Sequence, residues 1–224
     1  MRKPAALALT ATAVVLLASC AMTPSTGPMS FFITSVGSGK GGDLGGLAGA
    51  DAHCQRLASA AGAGSKTWRA YLSVPPAFAS ATASAVPGTH ARDRIGRGPW
   101  LNAKGDLIAR DVTHLHNGNN ITKATALDER GNPVKGRGET PLEHDILTGS
   151  RADGTAFSPH IDTTCGGWTK SGEGSAIVGH HDRAGPNAEN WSTSWNFSHP
   201  TAGCSPEALV RTGGAGKLYC FAGN

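Results

Sequence analysis

The residue types best suited to chemistry are the histidines, of which the chain has nine, and the acidic and amide side chains grouped among them in its second half. His114-x-His116 would put two imidazoles on one face of a strand, and His180-His181 with Asp182 offers a second ligand set. A zinc site needs three or four convergent ligands, and neither pair carries a third and fourth beside it in the sequence. His144-Asp145 and His181-Asp182 set an acid next to a base, but neighbours in a strand point to opposite faces. Asp182, Asn187, Glu189, Asn190 and Trp191 fall within one short stretch. Such a stretch suits a sugar, because an aromatic face stacks on C–H surfaces while amides and carboxylates pair with hydroxyls. Tryptophan also fills cores; that is the first expectation for Trp191, and a stronger one for Trp68, Trp100 and Trp168.

Catalytic signatures are missing. The chain has no Gly-x-Ser-x-Gly elbow and no His-Glu-x-x-His helix, and Gly39-Lys40 lacks the Walker spacing and the following Ser or Thr. The expectation is therefore a protein that is not an enzyme. Setting Cys20 aside, four cysteines remain, Cys54, Cys165, Cys204 and Cys220, with no CxxC pair among them. In an oxidising compartment an even number reads as two disulfides, for which three connectivities are open.

That compartment is indicated by the first residues. Arg2 and Lys3 precede the apolar run Ala5 to Ala18, too short for a stable span, and small residues follow: an export signal over 1–19. Leu17-Ala18-Ser19-Cys20 resembles the bacterial lipobox, which implies a palmitate-type lipid on Cys20 and, with the neutral Ala21 after it, an outer-membrane destination in a two-membrane host. Residues 20–30, rich in Thr, Ser, Pro and Gly, read as a tether. No second membrane-spanning run follows.

The elements that must position the polar residues are short. Phe31-Phe32-Ile33-Thr34-Ser35 is of strand type and Gly37 to Gly46 is a glycine-rich loop. Leu47, Ala50, Cys54, Leu57, Ala58 and Ala61 share one helical face, with Gly62 and Gly64 placed to end the helix. Trp68, Ala70 and Leu72 share one face of a second strand. Leu107-Ile108-Ala109 and Ile146-Leu147 are brief apolar elements, 102–106 and 128–132 read as turns, and Leu218 to Ala222 is a closing strand. Hydrophobic residues at 39% support one sizeable core, while 31 glycines and 13 prolines demand many loops. A net charge of +4 from scattered basic residues excludes a nucleic-acid binder.

Several of these stretches carry a resemblance. Phe32 to Ser35, Asp43 to Asp51 running into Cys54, Thr67 to Ser73, Arg92 to Gly96, Gly98 to Trp100, Asn119 to Lys123, His144 to Ser150, Gly179 to Arg183 and Ser194 to Asn196 resemble a family of bacterial exported proteins. Its members have a C-type-lectin-like fold related to endostatin and are labelled lectins or left without a function. The resemblance covers 31–224 and implies an α+β domain with paired terminal strands, one or two helices, long loops and nested disulfides Cys54–Cys220 and Cys165–Cys204. The calcium triplets of lectins have their nearest counterparts in Gly185-Pro186-Asn187 and Trp195-Asn196-Phe197, each without its acidic residue, which adds Asn196 to the candidate ligand set. The competing expectation makes Trp195 and Asn196 structural. Zinc in endostatin-type relatives uses N-terminal histidines, and this chain has none there.

The expectation is thus a lipid-anchored envelope protein with a lectin-like domain that binds carbohydrate or another envelope or host surface ligand at Asp182, Asn187, Glu189, Asn190, Trp191 and Asn196. No cofactor is certain; calcium ranks first and zinc second. The membrane is reached through the lipid alone. The alternatives are a structural or adhesive module that binds protein or matrix, and third a metal-dependent hydrolase.

Overall fold

The computed structural model describes Met1 and residues 29–223. The export signal past Met1, Cys20 and tether residues 20–28 lie outside the described residues. Met29 and Ser30, expected at the end of the tether, are already buried.

The architecture is mixed α+β, and the last strand organises it. β7 (Gly214–Gly223) pairs along its second half with β1 (Phe31–Ile33) on one side and β2 (Thr67–Ala70) on the other, both antiparallel, so the N- and C-terminal strands are neighbours. Its first half pairs in parallel with β5 (Asp145–Leu147), and β5 pairs antiparallel with β6 (Val178–His180). A separate ribbon joins β3 (Trp100–Leu101) to β4 (Leu107–Ala109) through the expected turn, in which the Asn102 side chain accepts from the backbone N–H groups of Lys104 and Asp106.

Period-two alternation along β7 divides the core. Leu218, Cys220 and Ala222 face a cluster containing Phe32, Trp68, Trp168 and the helix α1 (Gly46–Ala60). Tyr219 and Phe221 face a second cluster with Phe31, Tyr71, Trp100 and Trp195. The apolar face read for the helix is the one α1 buries, through Ala50, Cys54, Leu57 and Ala58. Asp51, on the same helix, reaches across to Arg69 at 3.0 Å and Arg94 at 2.8 Å and accepts from the Ala70 N–H, tying α1 to β2 and to the single turn α2 (Ala91–Arg94).

Both disulfides are formed, Cys54–Cys220 and Cys165–Cys204. The first pins α1 to β7. The second leaves the turn α4 (Cys165–Trp168), where all four residues have positive φ, and its middle pair is glycine. Trp168 holds its end of that strained turn by burial and by donating from Nε1 to the Ser73 carbonyl at 2.9 Å.

His114 and His116 lie on a helix, not a strand: Asp111 caps α3 (Val112–Asn117) by accepting from the His114 N–H at 2.7 Å. A spacing of two then sends the imidazoles apart, because only residues three or four apart share a helical face. The last helix, α5 (Pro206–Thr212), begins at the Ser205 cap and ends at Gly213, whose left-handed φ turns the chain directly into β7. Among the described residues α1 is the one long helix, and no helix is long and apolar enough to cross a membrane.

Candidate metal centre

At the end of the β5–β6 pair, antiparallel register sets Asp145 directly opposite His180, so their side chains share a face. Residues 194–199 run along the free side of β6: His180 N–H donates to Ser194 O, Val178 N–H to His199 O and Ser198 N–H to Val178 O. This pairing carries His199 to the same place. Gly179 makes the approach feasible, since a Cβ there would stand 1.8 Å from Trp195 O. His144 also reaches Asp145, contrary to the alternation expected of neighbours in a strand. It precedes β5, and the register against β7 shifts between Asp145 and Ile146, so alternation does not extend back to it.

Three ligand atoms converge as a result, from His144, Asp145 and His180, with His199 at the edge of the group. Asp145 Oδ1 lies 3.2 Å from His144 Nε2, 3.2 Å from His180 Nε2 and 3.6 Å from His199 Nε2, and the last two nitrogens are 3.0 Å apart. A tetrahedron of ligands about 2.0–2.1 Å from zinc has edges of about 3.3 Å. Burial is near complete, with side-chain exposures of 4% for His144, 1% for Asp145 and 1% for His180, while His199 keeps 27%. The rings of His144 and His180 stack at 4.1 Å.

The far nitrogens show what the near ones do. His144 Nδ1 faces Asp182 Oδ1 at 3.3 Å, His180 Nδ1 faces Ser192 O at 2.7 Å and His199 Nδ1 faces Pro200 O at 3.2 Å. A carboxylate and two carbonyls only accept, so each ring can donate from Nδ1 and leave Nε2 to accept; His180 Nε2 pairs with His199 Nε2 at 3.0 Å and Ser198 Oγ at 3.1 Å. Asp182 is held ionised: burial opposes its charge, but His144 and the N–H groups of Arg137 and Ala184 outweigh that and lower its pKa strongly. Carboxylate or carbonyl oxygens behind metal-binding imidazoles are the usual outer shell of a metal site.

Inside the ring of ligands the charge is unbalanced. Neither oxygen of the buried Asp145 carboxylate receives a hydrogen bond of acceptable direction, although two imidazoles stand at 3.2 Å. Lys217, across from Ile146 on β7, is taken by Glu143 at 2.8 Å. Burial works against a charge on His180, but Asp145 and the Ser192 carbonyl outweigh it and raise its pKa, so the imidazole faces a region that favours positive charge. A protonated His180 or a bound cation would balance this carboxylate, and imidazole nitrogens with one oxygen suit zinc or another late first-row metal better than calcium.

Of the residues singled out in the sequence, His180 is in this centre and Asp182 stands behind it. His181 turns away to the Lys135 carbonyl, and burial pushes its pKa down to about 4. Asn187, Glu189, Asn190 and Trp191 lie on an exposed loop, Trp191 with 40% of its surface free instead of in the core. Asn196 is buried and donates from Nδ2 to Tyr71 Oη and to the carbonyls of Arg151 and Ala152, the structural role expected for it, and Trp195 fills core beside Tyr71 and Tyr219. Of the six proposed ligand residues, Asn190 and Asn196 line one cleft, while Asp182 turns to His144. Sequence reasoning missed His199 and the ligand roles of His144 and Asp145. No local spacing announces them, since the set spans 144 to 199 and closes through strand pairing. No protein-family model matches this chain, and a comparison with curated proteins finds no match.

Proposed function

We propose that this is a lipid-anchored, extracytoplasmic binding module of the C-type-lectin-like, endostatin-related kind, with a zinc-class ion at His144, Asp145, His180 and His199. The observation that carries the reading is the buried group of His144, Asp145 and His180, whose ligand atoms lie within reach of one ion, with His199 Nε2 3.0 Å from His180 Nε2 and an acceptor behind every imidazole. His144, Asp145 and His180 supply three ligands, and His199 closing in as the fourth would fill a tetrahedral ion and favour a structural cross-link over a hydrolase, because hydrolysis needs a position open to water. The ion would fasten β5 and β6 to the 194–200 segment and so fix the loops that face solvent. Two disulfides agree with an oxidising compartment outside the cytoplasm, and the Leu17-Ala18-Ser19-Cys20 leader supports the lipid anchor.

The ligand would be a glycan or another surface molecule, met by the amide-rich loops beside the centre. A direct calcium contact is not needed for it. The test is metal analysis of the full-length protein in detergent after equilibration with zinc and removal of excess. The expected result is one zinc per chain, lost in His199→Ala. An empty protein, or a His199→Ala variant with unchanged zinc, would remove the metal from the proposal.

A further inference from the structure

Asp182 turns toward the metal centre, but the next residue, Arg183, lines a cleft of about 510 Å³ together with Asn119, Thr122, Asn190, Thr193 and Ser194. Arg183 holds a left-handed φ of 56°, and its side chain is largely withdrawn from solvent. Its guanidinium donates from Nε to Ile121 O at 2.9 Å, from Nη2 to Asn119 Oδ1 at 2.7 Å and, at the long limit of 3.5 Å, from Nη1 to Thr193 O. All three acceptors are neutral. Among the described residues it makes no ion pair, and no acidic residue lines the cleft. Arginine has five N–H groups in a planar fork, so donors remain after these contacts. Withdrawn charges are ordinarily matched by an opposite charge, and this one has none.

We infer that the cleft receives an acidic sugar, with the carboxylate of a uronic-acid-type ring on Arg183 and its hydroxyls on the amides and hydroxyls of Asn119, Asn190, Thr122, Thr193 and Ser194. A carboxylate supplies the missing charge and matches the guanidinium fork. The lining favours a sugar over an acidic peptide because it offers small polar groups in place of apolar side-chain pockets; Trp195, at its base, is already packed in the core. The choice of ligand class rests on the lectin-like reading above; the cleft itself does not depend on metal at the neighbouring centre.

The experiment is calorimetric titration of the full-length protein in detergent with glucuronic- and galacturonic-acid disaccharides, their neutral glucose and galactose counterparts, sodium acetate and a short acidic peptide. Zinc content is measured on the same samples. An acidic disaccharide should bind at least about tenfold more tightly than its neutral counterpart, the scale of one charge-assisted contact, and acetate should not saturate. Arg183→Gln should abolish that preference. Because Arg183 also braces Ile121 and Thr193, a second variant on the exposed rim, Asn190→Asp, tests the charge without disturbing those contacts. Its added carboxylate should lower the ratio of acidic to neutral disaccharide affinity about tenfold and leave the melting temperature unchanged. Equal binding of neutral and acidic sugars, a preference for the peptide, or an Asn190→Asp variant with the parental ratio would overturn the inference. Binding of neutral sugars alone would leave the lectin-like reading standing, whereas a blank with every sugar would remove both.

Discussion

His199 is the ligand with the most exposed side chain, and so the best single position at which to separate metal loss from unfolding. His199→Ala should weaken zinc by about a hundredfold or more in a chelator competition while the chain stays folded, because a tetrahedral ion would lose one of four donors. Asp182→Asn acts one bond further out. It should cost about 10- to 100-fold in the same assay, the usual effect of disturbing a group that orients a metal-binding imidazole. A different residue sets a pH dependence. His116 donates from Nδ1 to Val112 O and accepts at Nε2 from Tyr71 Oη, in a chain that continues to Asn196. Burial pushes its pKa below the ordinary 6.5, with Arg92 adding to the shift and the Val112 carbonyl and Asp153 opposing it. The unfolded chain then binds the proton more readily, so this group's stabilisation is complete above pH 6.5 and declines as pH falls from there toward the lowered folded value. Urea midpoints measured between pH 7.5 and 5 should fall, and His116→Gln should flatten that slope; a parallel slope in the variant would contradict the assignment.

Elements meet at a few polar cross-links, and Asp51 is the clearest. Its side chain is 12% exposed and serves Arg69, Arg94 and the Ala70 N–H at once, so Asp51→Ala strands a withdrawn arginine and a strand N–H together. The expected cost is about 3 kcal/mol in urea unfolding, the lower end for breaking a withdrawn pair from one side. A loss under about 1 kcal/mol would show the arginines solvated elsewhere. Elements are also where the sequence was most and least readable. The face of α1, the strands opening at Phe31 and Thr67 and the closing strand follow from periodicity, since buried apolar side chains repeat at 3.6 or 2 residues. Helix α3 did not follow, because six residues hold too little pattern and the Asp111 cap decided the outcome. The metal centre was half readable: His180 and Asp182 stand out as a local cluster. His199 and the turn of His144 toward Asp145 depend on register, on a shift within β5 and on a backbone approach at Gly179, none of which has a spacing rule.

For the whole molecule, two disulfides hold regions distant in sequence. Cys54–Cys220 closes 166 residues and Cys165–Cys204 closes 39. By loop entropy each adds about 3 to 5 kcal/mol, so the Cys54→Ala/Cys220→Ala double variant should melt well below the parent, with the larger loss at the longer loop. The proposed metal centre would be a third cross-link, joining the end of the β5–β6 pair to the segment ending at Pro200 through ligand linkage. Zinc at about a thousand times its dissociation constant would add about 4 kcal/mol, and chelation should lower the melting temperature accordingly. Disulfides and such an ion would then share one purpose, to give a loop-rich chain a fixed surface. The most direct test of that account is a zinc-edge anomalous difference map from crystals of the zinc-equilibrated protein. One peak is expected, about 2.0 to 2.2 Å from the Nε2 atoms of His144, His180 and His199 and from an oxygen of Asp145. A map with no peak there, and the imidazoles instead paired with Asp145 by directed hydrogen bonds, would contradict it.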